Sequence, residues 1–141
     1  MIHMHLDQIL RLHRAEHGSG EFRTHDVFCV AATGQKIRFA PWGQVPGSYL
    51  QVLEVFHQRW VRAETPREIF AALSVFWLGH IAVHPFADGN GRVGKKFVKN
   101  KLREKGIFTI STDSLDSILL TGQTGDDLRR LQDYFQHQLL A

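Results

Sequence analysis

The chain has 141 residues, of which 43% are hydrophobic and 22% charged, and its formal net charge is +3. This composition excludes a disordered or collagen-like chain and is sufficient for a buried core, so we predict a single domain over residues 1–141. The lone Cys29 excludes an internal disulfide, and the most apolar stretch, 69–83, is too short to span a membrane.

Helical periodicity dominates the chain from its beginning. Apolar side chains at helical spacing predict a helix from residue 2 that stops at the Gly-Ser-Gly of 18–20. A capping box at 48–51 predicts the start of a second helix, and Thr-Pro-Arg-Glu at 65–68 is a stronger start signal for a third. The third helix is apolar almost all round, which predicts burial, and Pro85 predicts that it ends near His84.

The remaining segments predict further helices and one exception. A basic helix is expected from Asn90 to Gly106, a shorter one between residues 113 and 120, and a last one from Thr124. Between Val27 and Phe39, two short apolar runs flank Ala-Thr-Gly, which predicts a β-hairpin. We interpret the tryptophans as core or hairpin-packing residues and Cys29 as a small hydrophobic residue of the hairpin.

Positive charge is concentrated in residues 84–106. This segment carries seven cations and two acids, so its charge is +5, whereas the rest of the chain carries −2. Lysines 96, 99, 101 and 105 favour a solvated helix face over a nucleic-acid site, because no aromatic residues alternate with them. No nucleic-acid partner and no membrane contact are therefore expected.

The most informative segment is 84–95, between the buried helix and the basic helix. Its Gly-Asn-Gly precedes a helix N-terminus, where backbone N–H groups and the helix dipole favour an anion. Arg92 and Lys95 stand in the first turns, where cations are unfavourable unless an anion is bound. Asp88 is suited to Mg²⁺ shared with phosphate oxygens, and His84 is suited to accept a hydroxyl proton. A zinc site at His80, His84 and Asp88 is disfavoured because Pro85 interrupts the helical face.

The segment HPFADGNGRVGK at 84–95 resembles the Fic family motif H-x-F-x-[D/E]-G-N-G-R-x-x-R, and only Lys95 departs from it. The hairpin at about 27–39 is similar to the family's flap, and residues 20–23 to the segment leading into it. The resemblance implies an all-α fold, a compact Fic-like helical bundle with one β-hairpin flap. The same resemblance implies that the chain is a single minimal domain whose motif region covers residues 66–106.

The resemblance also implies a role for each matching position. His84 corresponds to the general base, Asp88 to the Mg²⁺-holding acid, and Phe86 to a residue that anchors the loop in the core. The residues implied in phosphate binding are Gly89, Asn90, Gly91, Arg92 and Lys95. In the flap, Ile37 and Phe39 are expected to dock the target protein by strand addition.

The implied reaction transfers AMP from ATP, with Mg²⁺, to a Tyr, Thr or Ser hydroxyl of a protein partner. Two alternatives remain open: a related transferase (a kinase, another nucleotidyl transferase or a phosphocholine transferase), and a nucleotide-binding module without turnover. The intact Gly-Asn-Gly-Arg favours AMP, whereas Lys95 is the feature that favours lost turnover. The resemblance implies a toxin or effector. Residues 1–10 lack the pattern of a signal peptide, so we expect it to act in a bacterial or host cytoplasm.

Lys95 also bears on regulation. In the family, the arginine at this position pairs with the glutamate of an inhibitory helix whose pattern is [S/T]-x-x-x-E-[G/N]. None of the six glutamates in this chain precedes Gly or Asn. Either the inhibitor is a separate, antitoxin-like partner protein, or this chain is not restrained in this way. Lysine lacks the planar fork that would bind the inhibitory glutamate.

Overall fold

The computed structural model describes residues 2–30 and 34–140, and this part of the chain is mostly helical. Its helices are α1 (Ile2–Ala15), α2 (Val45–Trp60), α3 (Pro66–Val83), α4 (Asn90–Glu104) and α5 (Thr124–Leu140). Strands β1 (Phe28–Val30) and β2 (Lys36–Arg38) form an antiparallel hairpin. The predicted all-α fold with one hairpin is confirmed. Ala32 and Thr33 of the predicted hairpin turn lie outside the described residues.

Helix α3 lies at the centre of the fold, packed against α2, α4 and α5. Its start is the predicted capping box: the Thr65 hydroxyl accepts the Glu68 N–H, and the Glu68 carboxylate accepts the Thr65 N–H at 3.1 Å. Phe76 and Trp77 are almost completely buried within it. The helix ends at Val83, so both predicted limits of α3 are confirmed.

Two predictions about helices are wrong: the residue at which α2 begins, and a short helix between residues 113 and 120. Helix α2 begins at Val45 instead of Ser48, because a 3₁₀ turn at Trp42–Gln44 leads directly into it and Pro46 fits the first helical turn. The segment between 113 and 120 forms only one 3₁₀ turn, Leu115–Ser117. Leu115 of this turn is fully buried in the hydrophobic core.

Two side chains lie in other surroundings than predicted. Trp42 is 50% exposed, because the 3₁₀ turn lies outside the helical core. Cys29 lies in β1 of the hairpin, as predicted, and is exposed there. Lys101, predicted on a solvated face, is only 2% exposed. Its Nζ lies 5.2 Å from the centre of the Phe97 ring and forms an ion pair with Glu104 at 3.1 Å. Burial lowers the pKa of Lys101, and Glu104 opposes that effect.

Buried histidines connect the helices. The His80 Nε2 donates to the Asn90 carbonyl at 2.7 Å, and its Nδ1 accepts the Tyr49 hydroxyl at 2.7 Å. His5 lies 2.9 Å from His57 at the contact of α1 and α2.

The described residues contain no group of three or more potential ligands placed to hold a metal ion. Within the same residues, no helix is long and apolar enough to cross a membrane.

The buried histidines predict a loss of stability in mild acid. Burial lowers the pKa of His80 to about 4, and burial together with Lys101 and His57 lowers the pKa of His5 to about 3. Both rings are neutral in the folded protein. Their contribution to the free energy of unfolding is therefore complete above pH 6.5, the pKa of an unfolded histidine, and is lost as the pH falls below it. At pH 5, His80 alone is expected to cost about 2 kcal/mol.

Unfolding of the protein in urea at pH 7 and pH 5 measures this effect, and a substitution of the exposed His137 by glutamine should leave the loss unchanged. An equal free energy of unfolding at the two pH values would contradict the prediction.

Candidate active site

The loop between α3 and α4 is held by its own side chains. Phe86 is completely buried, as predicted. The Asn90 side chain accepts the Phe86 N–H at 2.9 Å and donates to the Phe86 carbonyl at 2.8 Å. Asn90 is only 3% exposed, so its amide positions the loop, and its contribution to an anion site is limited to the backbone. Gly89, with φ of 82°, provides the left-handed turn that opens α4.

His13 of α1 contacts the same loop at Asp88 and Phe86. Its Nδ1 accepts the Gly20 N–H at 3.0 Å, which leaves Nε2 to donate to the Asp88 carbonyl at 3.1 Å. The His13 ring also stacks on Phe86, with ring centres 3.9 Å apart. In the sequence His13 is only one more residue of a helical stripe, and no local pattern indicates this contact.

His84 occupies the left-handed C-cap of α3, with φ of 54°. Its ring stacks on Phe39 of the hairpin, with centres 3.9 Å apart. Nδ1 is enclosed without a normal hydrogen bond among the described residues, so Nε2 is the nitrogen able to meet a substrate. Burial lowers the pKa of His84, the backbone of Ile81 opposes this, and the Arg23 guanidinium adds to it. The neutral imidazole required of a base is therefore favoured.

The Arg23 guanidinium forms hydrogen bonds both to the C-terminal end of α3 and to the segments on either side of the hairpin. It is 4% exposed, and its Nε donates to the His84 carbonyl at 2.7 Å. Its other N–H groups donate to carbonyls at Val83, His25 and Ala40. Residues 20–23 resemble the segment before the flap, but no spacing in the sequence indicates that this arginine binds the backbone of the candidate base.

A pocket of about 310 Å³ brings the predicted residues together. Its lining consists of His84, Ala87, Asp88, Gly89, Asn90, Gly91, Arg92 and Asp116. The Asp88 Oδ1 accepts the Gly89 N–H at 2.8 Å, and Arg92 is exposed, with its Nη2 beside Gly89. The candidate base, the candidate metal ligand and the N-terminus of α4 therefore border one cavity.

Asp116 is the unexpected member of this pocket. Its Oδ2 would lie 3.7 Å from a Cβ atom added at Gly91, so the carboxylate stands beside the first turn of α4. The same oxygen forms an ion pair with Lys95 Nζ at 3.0 Å. Lys95 does not line the pocket and instead contacts Asp116 and the Asp113 carbonyl. An internal anion thus lies where the helix N-terminus favours negative charge.

The hairpin places its two predicted docking residues on one face. The register pairs Cys29 with Ile37, and the Phe39 N–H donates to the Val27 carbonyl at 3.3 Å, which extends the ladder by one residue. Ile37 is 42% exposed, whereas Phe39 contacts His84. Only Phe39 of the two therefore borders the candidate base.

Comparison with known proteins identifies the family to which this fold belongs. The model of the "Fic/DOC family" matches residues 3–99. The search of curated proteins found no match. Because the family model covers more than half of the chain, the protein belongs to the Fic/DOC family.

Two solved structures share the fold. A Fic domain containing signaling protein from Bacteroides thetaiotaomicron VPI-5482 has a TM-score of 0.67 at 16% identity, over 99% of this chain and 66% of that one. A Fic family protein from Desulfovibrio desulfuricans G20 has a TM-score of 0.60 at 18% identity, over 96% of this chain and 47% of that one. The chain therefore spans about two thirds or less of each structure.

Proposed function

We propose that this protein is a protein adenylyltransferase that moves AMP from ATP to a Tyr, Thr or Ser hydroxyl of a target protein. The family supports a Fic-type transferase as the general class. The observation that carries the finer proposal is the shared pocket, in which His84 and Asp88 border the N-terminus of α4. A base, a carboxylate and an anion site at one cavity suit attack of a hydroxyl on a phosphate group.

In the proposed reaction, the hydroxyl oxygen attacks the α-phosphorus of ATP while its proton passes to His84 Nε2. The bond from the α-phosphorus to the bridging oxygen breaks, and pyrophosphate leaves with that electron pair. The N–H groups of Gly91 and Arg92 at the start of α4, together with the Arg92 guanidinium, would stabilise the negative charge of the phosphates. Phe39, stacked on His84, would limit the access of water to the base.

The residues near Gly89 fit a Mg²⁺ ion that would be bound through one carboxylate, that of Asp88. Asp88 borders the pocket and uses Oδ1 for a backbone hydrogen bond, and Mg²⁺ takes one or two carboxylates together with phosphate oxygens. The ion would neutralise phosphate charge, whereas the residues of the chain orient the donor and accept the proton. Cytoplasmic action as a bacterial toxin or delivered effector, restrained by a separate glutamate-bearing protein, belongs to the same proposal.

A specific observation favours the second candidate, a nucleotide-binding module without turnover. The Asp116–Lys95 ion pair occupies a lysine beside the pocket and adds a carboxylate to the pocket lining. Lys95 is then not available to neutralise phosphate charge during transfer, which favours lost turnover, whereas the N-terminus of α4 still favours an anion. Label transfer separates this candidate from an active enzyme.

The test is incubation of the protein, MgCl₂ and a bacterial or eukaryotic lysate with ATP labelled at either the α- or the γ-phosphate. Label on protein from the α-position alone supports AMP transfer. Label from the γ-position alone would replace the proposal with a kinase. Thermal stabilisation by MgATP without transfer from either position would favour the binding module.

Removing the internal carboxylate should strengthen nucleotide binding. In Asp116→Asn the Lys95 ammonium is released, and the negative charge beside Gly91 is lost. An ion pair of this exposure is worth about 0.2–1 kcal/mol, so the dissociation constant for MgATP should fall by a factor of about 1.4 to 5.

Calorimetry at one salt concentration measures the effect. The matched control is Asp113→Asn, which removes one acid nearby but preserves the backbone carbonyl that Lys95 contacts. Equal or weaker binding by Asp116→Asn would show that this carboxylate does not oppose the phosphates.

A further inference from the structure

The hairpin carries two cations that the chemistry at His84 does not use. Lys36 and Arg38 of β2 are both exposed, and neither forms an ion pair with any residue that the structure describes. Lys36 Nζ lies 3.8 Å from the centre of the Phe28 ring, a contact that holds the ammonium without neutralising it. The flap therefore presents unneutralised positive charge to solvent.

The register places these cations on one face of the hairpin. Phe28 pairs with Arg38, and Val30 pairs with Lys36. Cross-strand partners share a face, so the two cations and the two exposed apolar side chains lie together. Because side chains alternate along a strand, Phe39 belongs to the opposite face, where its ring contacts His84.

The backbone of β2 is open on the side away from β1. The hydrogen bond from Phe39 N–H to the Val27 carbonyl makes residues 27 and 39 a hydrogen-bonded pair. In an antiparallel ladder such pairs alternate, so the N–H and C=O groups of Lys36 and Arg38 face the open edge. An extended segment of another protein can pair with this edge as an added strand.

The position of a docked target follows from this register. A target residue opposite Phe39 has its side chain on the face of His84, and this residue is the one whose hydroxyl reacts. Its immediate neighbour lies opposite Arg38, and the residue two positions farther lies opposite Lys36. The side chains of both neighbours lie on the cationic face, one and three residues from the hydroxyl.

Resting on the proposed transfer to a protein hydroxyl, we propose that the flap selects target segments with acidic side chains one and three residues from the modified residue. A pocket of about 270 Å³, bordered by Phe28, Lys36 and Arg38, offers room for the nearer acid. Asp26 also borders this pocket, but its Oδ1 accepts the Trp42 N–H at 2.9 Å. An acidic peptide matches both the charges and the open backbone edge, whereas a nucleic acid matches only the charges.

The test uses fluorescent nine-residue peptides with a central tyrosine and either Asp, Ser or Lys one and three residues from it, on either side. Binding to the full chain is followed by fluorescence anisotropy without nucleotide. The Asp peptides should bind about tenfold more tightly than the Ser peptides at low salt, and this ratio should shrink at 0.5 M NaCl. Lys36→Glu/Arg38→Glu should reverse the preference towards Lys peptides.

The matched control is Lys99→Glu/Arg103→Glu, which makes the same charge change on exposed positions of α4 and should keep the preference for Asp. If the reversed variant does not fold by circular dichroism, Lys36→Gln/Arg38→Gln should abolish the preference without reversing it.

Equal binding of the three peptides, or no binding at millimolar concentration, would overturn the proposal. So would an Asp preference that survives the loss of both cations, or displacement of the Asp peptide by an equally charged single-stranded oligonucleotide at equal concentration. Because no nucleotide is present, failure of AMP transfer leaves this result intact, and failure of peptide selection leaves the transfer assay intact.

Discussion

His84→Asn is expected to lower the rate of label transfer by about 10²- to 10⁴-fold, the usual contribution of a general base. Asparagine suits the left-handed backbone at this position, where φ is 54°, better than alanine does, so the substitution removes the base with little added strain. The Arg23 contact to the residue 84 carbonyl does not depend on the side chain. Stability and MgATP affinity should therefore remain close to those of the unchanged protein.

Transfer, calorimetric ATP binding and thermal melting are measured on one preparation of each protein. The matched control is His137→Asn, which replaces an exposed histidine of α5 and should transfer label at the original rate. Full activity in His84→Asn would refute the assignment of the base. A parallel loss of ATP affinity and melting temperature would instead indicate a structural role for the ring.

Among the substitutions proposed for this protein, Arg23→Met is expected to lower the free energy of unfolding the most. Methionine keeps the apolar length of the side chain but donates no hydrogen bonds. The carbonyls of His84, Val83, His25 and Ala40 then lose their partner. Since an unsatisfied buried group costs about 1–3 kcal/mol and four carbonyls are affected, the combined loss should be about 4 kcal/mol or more.

A loss of this size corresponds to a fall in melting temperature of about 10 °C or more. Differential scanning calorimetry measures it, and Arg62→Met is the matched control because that arginine is exposed. A shift in Arg23→Met no larger than in the control would mean that water satisfies the four carbonyls. Transfer activity below the melting transition should also fall, since Arg23 fixes the backbone at His84.

Much of the fold could be predicted because it depends on neighbours in the chain. The limits of α3 follow from the Thr65–Glu68 capping box and from Pro85, which act within one helical turn. The hairpin follows from its alternating pattern. The predicted start of α2 at Ser48 is wrong, because the 3₁₀ turn at Trp42–Gln44 leads directly into the helix at Val45.

The candidate site was predictable for the same local reason. His84, Asp88 and the Gly-Asn-Gly loop occupy one short segment, and the structure brings them to one pocket. The family match over 3–99 supports the family that the motif indicated, and the roles of the individual residues stay predictions. The motif does not reveal that the Asn90 side chain faces inward to bind Phe86, because a side chain's rotamer depends on the packing around the loop.

The sequence by itself therefore determined helices α1–α5 (apart from the start of α2), the hairpin, and the loop that carries the candidate chemistry. Only the tertiary structure decided what surrounds that loop: Arg23 binds the His84 carbonyl across 61 residues, His13 the Asp88 carbonyl across 75, and Asp116 meets Lys95 across 21. It also decided that Lys101 is buried. Hydrogen bonds and ion pairs between distant segments depend on how the helices pack, and no local spacing records that packing.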